Sequence, residues 1–211
     1  MTVVAVSKTV PALRVRDAVA AGITLFGENR VQEALAKMPE VPGARWHLIG
    51  PLQSNKARRA VEAFETIQTV DSVELARRLD RIVGELGRAR VPVLLQVNVD
   101  ADPAKAGLAP ADVEAALDVI GGLAHLRVDG LMTVGRLVDD AEAARPTFRA
   151  LRELSDRMRE GGHPLGPALS MGMTDDFEVA IEEGATIVRV GRALFGERPH
   201  HHGDGAVDHA H

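Results

Sequence analysis

The chain has 211 residues, 45% of them apolar and 26% charged, with a formal net charge of −5. That composition suits a globular protein with a sizeable core, and the acidic balance argues against a general nucleic-acid surface. Cysteine is absent, which excludes disulfides, thiolate metal sites and cysteine nucleophiles; tyrosine is absent as well.

In chain order, short β-branched runs alternate with helical patterns about eight times. Val3-Val4-Ala5-Val6 suits a strand buried on both faces, and it ends in Ser7, Lys8 and Thr9. A helix is expected over 11–21, with Pro11 in its first turn and Gly22 at its end. A strand over 24–27, a helix over 29–38 stopped by Pro39 and Pro42, and a strand over 45–49 follow. Ser54 or Asn55 is placed to cap a helix to about residue 64, a strand covers 66–70, and Asp71 or Ser72 caps the next helix to about residue 86. The longest strand is expected over 91–99, then a helix from Pro110 or Ala111 to about residue 120 and a strand over 128–131. A long helix to about residue 159 carries Pro146 in its early turns. Strands over 168–170 and 186–190 close the pattern, each followed by a helix, over 175–183 and 192–195.

Eight such units predict an α/β protein, a single (β/α)8 TIM-type barrel over residues 1–198, with a disordered His-rich tail over 199–211. An open doubly wound sheet would need a glycine-rich dinucleotide turn after the first strand for its commonest function, and none is present. The first strand starts almost at Met1 and only a short helix follows the last. The N-terminal helix between those strands is therefore expected to be missing, leaving Val4 and Val6, or Val3 and Ala5, without cover. No run is long enough to cross a bilayer and no secretion signal opens the chain, so the expectation is a cytoplasmic protein with neither membrane nor nucleic-acid partners.

A barrel brings the carboxyl ends of its strands to one mouth, and there the polar residues gather. Lys8 follows the first strand; Ser170-Met171-Gly172-Met173-Thr174 follows the seventh and Arg189-Val190-Gly191-Arg192 closes the eighth. Glycines and helix starts after strands seven and eight suit a phosphate, although Gly172 and Gly191 also read as plain turn residues. An amine facing a phosphate cradle fits a phosphorylated aldehyde held as a Schiff base, and pyridoxal 5'-phosphate (PLP) meets that description.

Five separated segments, 5–9, 26–29, 46–56, 169–173 and 188–191, resemble the pyridoxal-phosphate homeostasis protein family, and the likeness runs from Val3 to Arg198. The resemblance implies a barrel like the N-terminal domain of alanine racemase that binds PLP as an imine on Lys8 without a clear catalytic reaction. It further implies that Ser170 and the amides near Gly172, Met173, Gly191 and Arg192 hold the phosphate, and that Arg189 lies by the pyridine nitrogen. A guanidinium there disfavours pyridinium and weakens the ring as an electron sink; at the phosphate it would be an ion-pair partner instead. Asn29 is placed either to touch the ring's substituents or to cap a helix, and Met132 either packs beneath the ring or belongs to the core. Of the neighbours Trp46 and His47, one faces the barrel and the other the helices, with Trp46 the core residue. Lys105 is a weaker candidate for a second amine, and the basic run 53–59 is either a solvated helix start or part of the rim. The family usually has a helix before the first strand and a small hydroxyl residue where this chain has Arg192. The expected partners are PLP and the apoenzymes that require it, with the chain a monomer or weak dimer and no bound metal. The alternative function is a weak amino-acid racemase. Alanine racemase uses a partner tyrosine opposite its lysine, and this chain has none, so another acid such as His47 would have to serve.

Overall fold

A computed structural model describes residues 1–135, 138 and 140–196. The tail over 199–211 lies outside the described residues. Eight parallel strands, β1 (Thr2–Val6), β2 (Leu25–Glu28), β3 (Arg45–Leu48), β4 (Thr66–Val70), β5 (Val91–Gln96), β6 (Leu126–Met132), β7 (Ala168–Ser170) and β8 (Ile187–Val190), form a closed barrel in sequence order. Closure runs from Thr2 paired with Ile187 to Ala5 paired with Val190. The helices alternate with the strands: α1 (Ala12–Ala20), α2 (Val31–Lys37), α3 (Ala57–Ala63), α4 (Val73–Glu85), α5 (Val113–Ile120), α6 (Arg145–Glu160), α7 (Phe177–Glu182) and α8 (Arg192–Phe195). Among the described residues no helix is long and apolar enough to cross a membrane.

Strand alternation sorts the side chains into two layers. Val4, Leu25 and Ile49 cluster inside the barrel with Val6 and Ile187. Ala5, Phe26, Leu48, Ile67, Leu95 and Val188 join the larger core shared with the helices. Trp46 belongs to that outer layer, its ring centroid 5.4 Å from that of Phe26, which leaves His47 on the barrel side. On α4 the Ser72 hydroxyl accepts the Leu75 N–H at 3.2 Å, and Leu75, Ala76, Leu79, Ile82 and Val83 form the buried stripe.

The departures from the predicted elements have local causes. Arg30, extended and without a side-chain cap bond, precedes α2, so Asn29 does not cap that helix. α2 ends at Lys37, just before Pro39 as expected, and Pro39 itself joins a 3-10 turn over Met38–Glu40. β5 stops at Gln96 because Asn98 turns the chain locally: its side chain donates to the Asp102 and Lys105 carbonyls and accepts the Asp102 N–H. β6 is longer than the apolar run because Leu126 and Arg127 pair with Val91 and Pro92, and Met132 with Gln96, on β5; within it Gly130 lies so close to β7 that a Cβ would come within 1.8 Å of the Ala168 carbonyl oxygen. At the seam between β1 and β8 the expectation holds only in part. Val3 is 47% exposed, and Met1, Leu13 and Leu194 are exposed too, whereas Val4 and Ala5 are fully buried in the two core layers.

Candidate functional site

Lys8 follows β1 with the parity of Val4 and Val6, which directs it to the mouth. One cavity joins this strand end to the end of β8. Its lining includes Lys8, Thr9, Arg14, Gly191, Arg192 and Phe195, and no carboxylate is among the described lining residues. The structure therefore brings together three of the predicted residues, Lys8, Gly191 and Arg192. It adds Arg14, which the sequence offered only as one charge among several on α1. Arg192 also forms an ion pair with Asp175. Asn29 lies on a different cavity, with Arg30, Pro51, Gln53 and Lys56 among its neighbours, so the basic run reaches the rim there.

Beneath the mouth a chain of hydrogen bonds crosses the barrel interior. Arg189, 4% exposed, donates from Nη1 to Ser170 Oγ at 2.6 Å and from Nη2 to the Thr133 carbonyl at 2.7 Å. Ser170 Oγ donates to Gln68 Oε1 at 2.7 Å, and Gln68 Nε2 lies 2.8 Å from His47 Nδ1. An amide nitrogen only donates, so His47 accepts at Nδ1 and carries its proton on Nε2. Among the described residues Arg189 thus bonds to two neutral oxygens, with Asp176 acting on it only through space. Burial pulls its pKa down to about 10. Fully buried Met132 pairs in register with Ser170 and extends this floor.

In the unliganded chain the donors of two of the expected phosphate contacts are engaged within the protein. Ser170 is fully buried, and its hydroxyl donates to Gln68. The Met173 N–H is likewise taken, by Asp176 Oδ1 at 2.6 Å. The hydroxyl that reaches the β8 loop is Thr174, whose Oγ1 accepts the Gly191 N–H at 3.3 Å. With α7 only six residues long and α8 four, helix dipoles also supply less than the sequence suggested. Gly172 has φ +87, and a Cβ there would meet the Ala180 Cβ at 2.5 Å and the Phe177 Cα at 3.1 Å. It is required for packing under α7. Gly172→Ala is expected to cost roughly 2 to 4 kcal/mol of stability, read as a lower urea midpoint; an unchanged midpoint overturns this account. Lys105 donates to the Gly135 carbonyl at 2.9 Å and faces Asp102, so its amine is engaged in holding a loop.

Burial lowers the His47 pKa from 6.5 to about 4. A depressed folded-state pKa contributes stability that is fully present above about pH 6.5 and is lost as pH falls toward 4. The shift corresponds to about 3 kcal/mol at most. Between pH 7 and pH 4.5 the wild type is expected to lose more unfolding free energy than His47→Gln, measured by urea titration at both pH values. Equal losses overturn the assignment of a buried neutral imidazole.

These features define a class: a closed (β/α)8 barrel with a lysine at the end of its first strand and cationic, glycine-containing loops at the end of its last. The family description "Alanine racemase, N-terminal domain" matches residues 1–199. Alanine racemase of Clostridium difficile is similar in fold, with a TM-score of 0.80 at 16% identity, over 94% of this chain and 53% of that one. The chain belongs to the pyridoxal phosphate homeostasis protein family within that class. It is 45% identical over 196 residues to the Pseudomonas aeruginosa protein of that name, covering 92% of this chain and 83% of the relative. The protein of the same name from Aquifex aeolicus is 40% identical, over 91% and 85% of the two chains. The structure of PipY from Synechococcus elongatus with PLP bound superposes with a TM-score of 0.86 at 46% identity, over 93% of this chain and 92% of that one.

Proposed function

We propose that this protein binds PLP at the barrel mouth, holds it as a Schiff base on Lys8, and acts in cytoplasmic PLP homeostasis by storing the cofactor and releasing it to apoenzymes that require it. The observation that carries this reading is the cavity lined by Lys8, Arg14, Gly191 and Arg192, with no carboxylate among its described lining residues. An amine and two guanidinium groups around exposed backbone suit a phosphorylated aldehyde, so the residues present fit the cofactor. When bound, PLP supplies an electrophilic aldehyde and a ring able to accept electrons. Lys8 would supply the amine that condenses with that aldehyde, with one water released.

In this reading Arg14 and Arg192 would hold the phosphate beside the Gly191 loop, which Thr174 braces through the Gly191 N–H, while Arg189 would lie by the pyridine nitrogen. The buried hydrogen-bond chain favours a ring-side Arg189, because its guanidinium is fixed to the ends of β6 and β7 rather than turned to the Gly191 loop. A guanidinium beside the pyridine nitrogen would disfavour its protonation, which suits holding PLP better than turning over amino acids. His47, the acid kept for a racemase, sits in the interior with Nδ1 bonded to Gln68 and is neutral at pH 7. The test is to mix the purified protein with PLP, reduce with borohydride and map the labelled peptide. Label on Lys8 is expected; label elsewhere alone, or none, overturns the reading.

A further inference from the structure

The peptide groups on both sides of Lys8 are gripped by side chains of α2. Lys37, only 7% exposed, donates from Nζ to the Ser7 carbonyl at 2.8 Å, which belongs to the peptide entering Lys8. Glu33, one helical turn earlier on the same face, accepts at Oε1 the Thr9 N–H of the peptide leaving Lys8 at 2.5 Å. Glu28 at the end of β2 anchors the arrangement. Fully buried, it accepts at Oε1 both the Lys37 ammonium at 2.6 Å and the Ser7 hydroxyl at 2.7 Å, while its Oε2 has no hydrogen-bond partner among the described residues. Lys37 also lies 3.5 Å from Glu33, which couples the two grips.

The backbone they hold is unusual. Thr9 has φ 64, a left-handed conformation that a β-branched residue adopts only when its surroundings impose it. The Thr9 hydroxyl donates to the Lys8 carbonyl at 2.6 Å and the Val10 N–H donates to the Ser7 carbonyl at 3.0 Å. The turn beneath Lys8 is thus fixed at successive peptide groups. A buried ion pair serving the fold alone needs no contact with both peptides of one mouth lysine and no strained residue beside it.

We propose that Glu33 and Lys37, with Glu28 anchoring Lys37, are positioning residues that hold the Lys8 turn in its strained form and so aim the Lys8 amine at the aldehyde of PLP. This rests on the reading of Lys8 as the PLP lysine. Without the grip on the Thr9 N–H, Thr9 relaxes from the left-handed region and the Lys8 side chain leaves its direction of attack. Asparagine tolerates that region, so it reduces the need for the grip.

The experiment mixes PLP with the wild type, Glu33→Ala, Thr9→Asn, the double variant Glu33→Ala/Thr9→Asn, and the charge-balanced pair Lys37→Met/Glu28→Gln. Borohydride is added at timed intervals, Lys8 label is quantified by peptide mapping, and each melting midpoint is recorded. Hydrogen exchange of the Thr9 amide is followed without PLP. For Glu33→Ala we expect labelling of Lys8 at least about tenfold slower and Thr9 exchange faster, at a melting midpoint within a few degrees of wild type. Thr9→Asn recovers much of the labelling rate in the double variant, and the charge-balanced pair is slowed like Glu33→Ala. Wild-type labelling rates in folded Glu33→Ala, or no recovery in the double variant, overturn the positioning role while leaving Lys8 as the PLP lysine. A wild type that takes no label at Lys8 overturns the functional reading, and the role given to α2 with it.

Discussion

Lys8→Ala is expected to abolish borohydride-trappable PLP while leaving the barrel folded. The chain has four lysines, Lys8, Lys37, Lys56 and Lys105. Lys37 is buried against Glu28 and the Ser7 carbonyl, and Lys105 holds the Gly135 carbonyl. Lys56 lies on the rim cavity with Asn29, apart from the Gly191 loop. Lys8 alone among them lines the cavity at the joined ends of β1 and β8. Its removal deletes no member of either core cluster, so stability should change by less than about 1 kcal/mol. PLP held by its phosphate alone dissociates on dialysis, and the spectrum of the dialysed variant should lack the imine band. Retention of a reducible adduct at the wild-type level would move the linkage to another amine, and peptide mapping would name it.

The fold was legible because each strand carries its own short apolar run between helix signals. β4 and β7 fall on the residues expected from that pattern, while β5 and β6 differ at ends set by tertiary contacts. Nothing in the sequence around Asn98 announces that its amide will fold the chain back on itself, and Gly130 reveals its purpose only beside Ala168. The site was legible as a set of strand ends, not as a set of donors. Lys8, Gly191 and Arg192 converge as expected. Ser170 reads as a phosphate ligand because it precedes a glycine loop; strand parity turns it inward, where its hydroxyl donates to Gln68. One signal pointed that way in advance. Ser170 is the last residue of its strand rather than the first of a loop, and Gln68 is a polar residue inside a strand that is buried throughout. Lys37 escaped notice for a different reason: beside Glu28 its partner is the Ser7 carbonyl, and no side-chain pattern encodes a contact with a peptide group.

Arg189→Met is expected to separate ligand affinity from fold stability. Two effects oppose each other in the unliganded protein. The buried guanidinium is held with its pKa lowered to about 10, a strain of about 3 kcal/mol on the charged form, and methionine removes it. Against this, Ser170 Oγ and the Thr133 carbonyl lose charge-assisted hydrogen bonds, each contributing about 1.5 to 3 kcal/mol. The difference is a net loss of about 0 to 3 kcal/mol, so the melting midpoint should fall by no more than roughly 10 °C. Binding has no such compensation, because PLP would meet a neutral thioether in place of a cation already desolvated by the protein. Losing one buried charged contact costs about 2 to 5 kcal/mol, so the PLP dissociation constant should rise by about thirtyfold or more. Lys8 should still take label when PLP is saturating, since its own turn is held by α2 and not by Arg189. Fluorescence titration with PLP beside a thermal melt reads both quantities. An unchanged dissociation constant with a large drop in melting midpoint would make Arg189 a brace for β6 and β7 that never meets the cofactor.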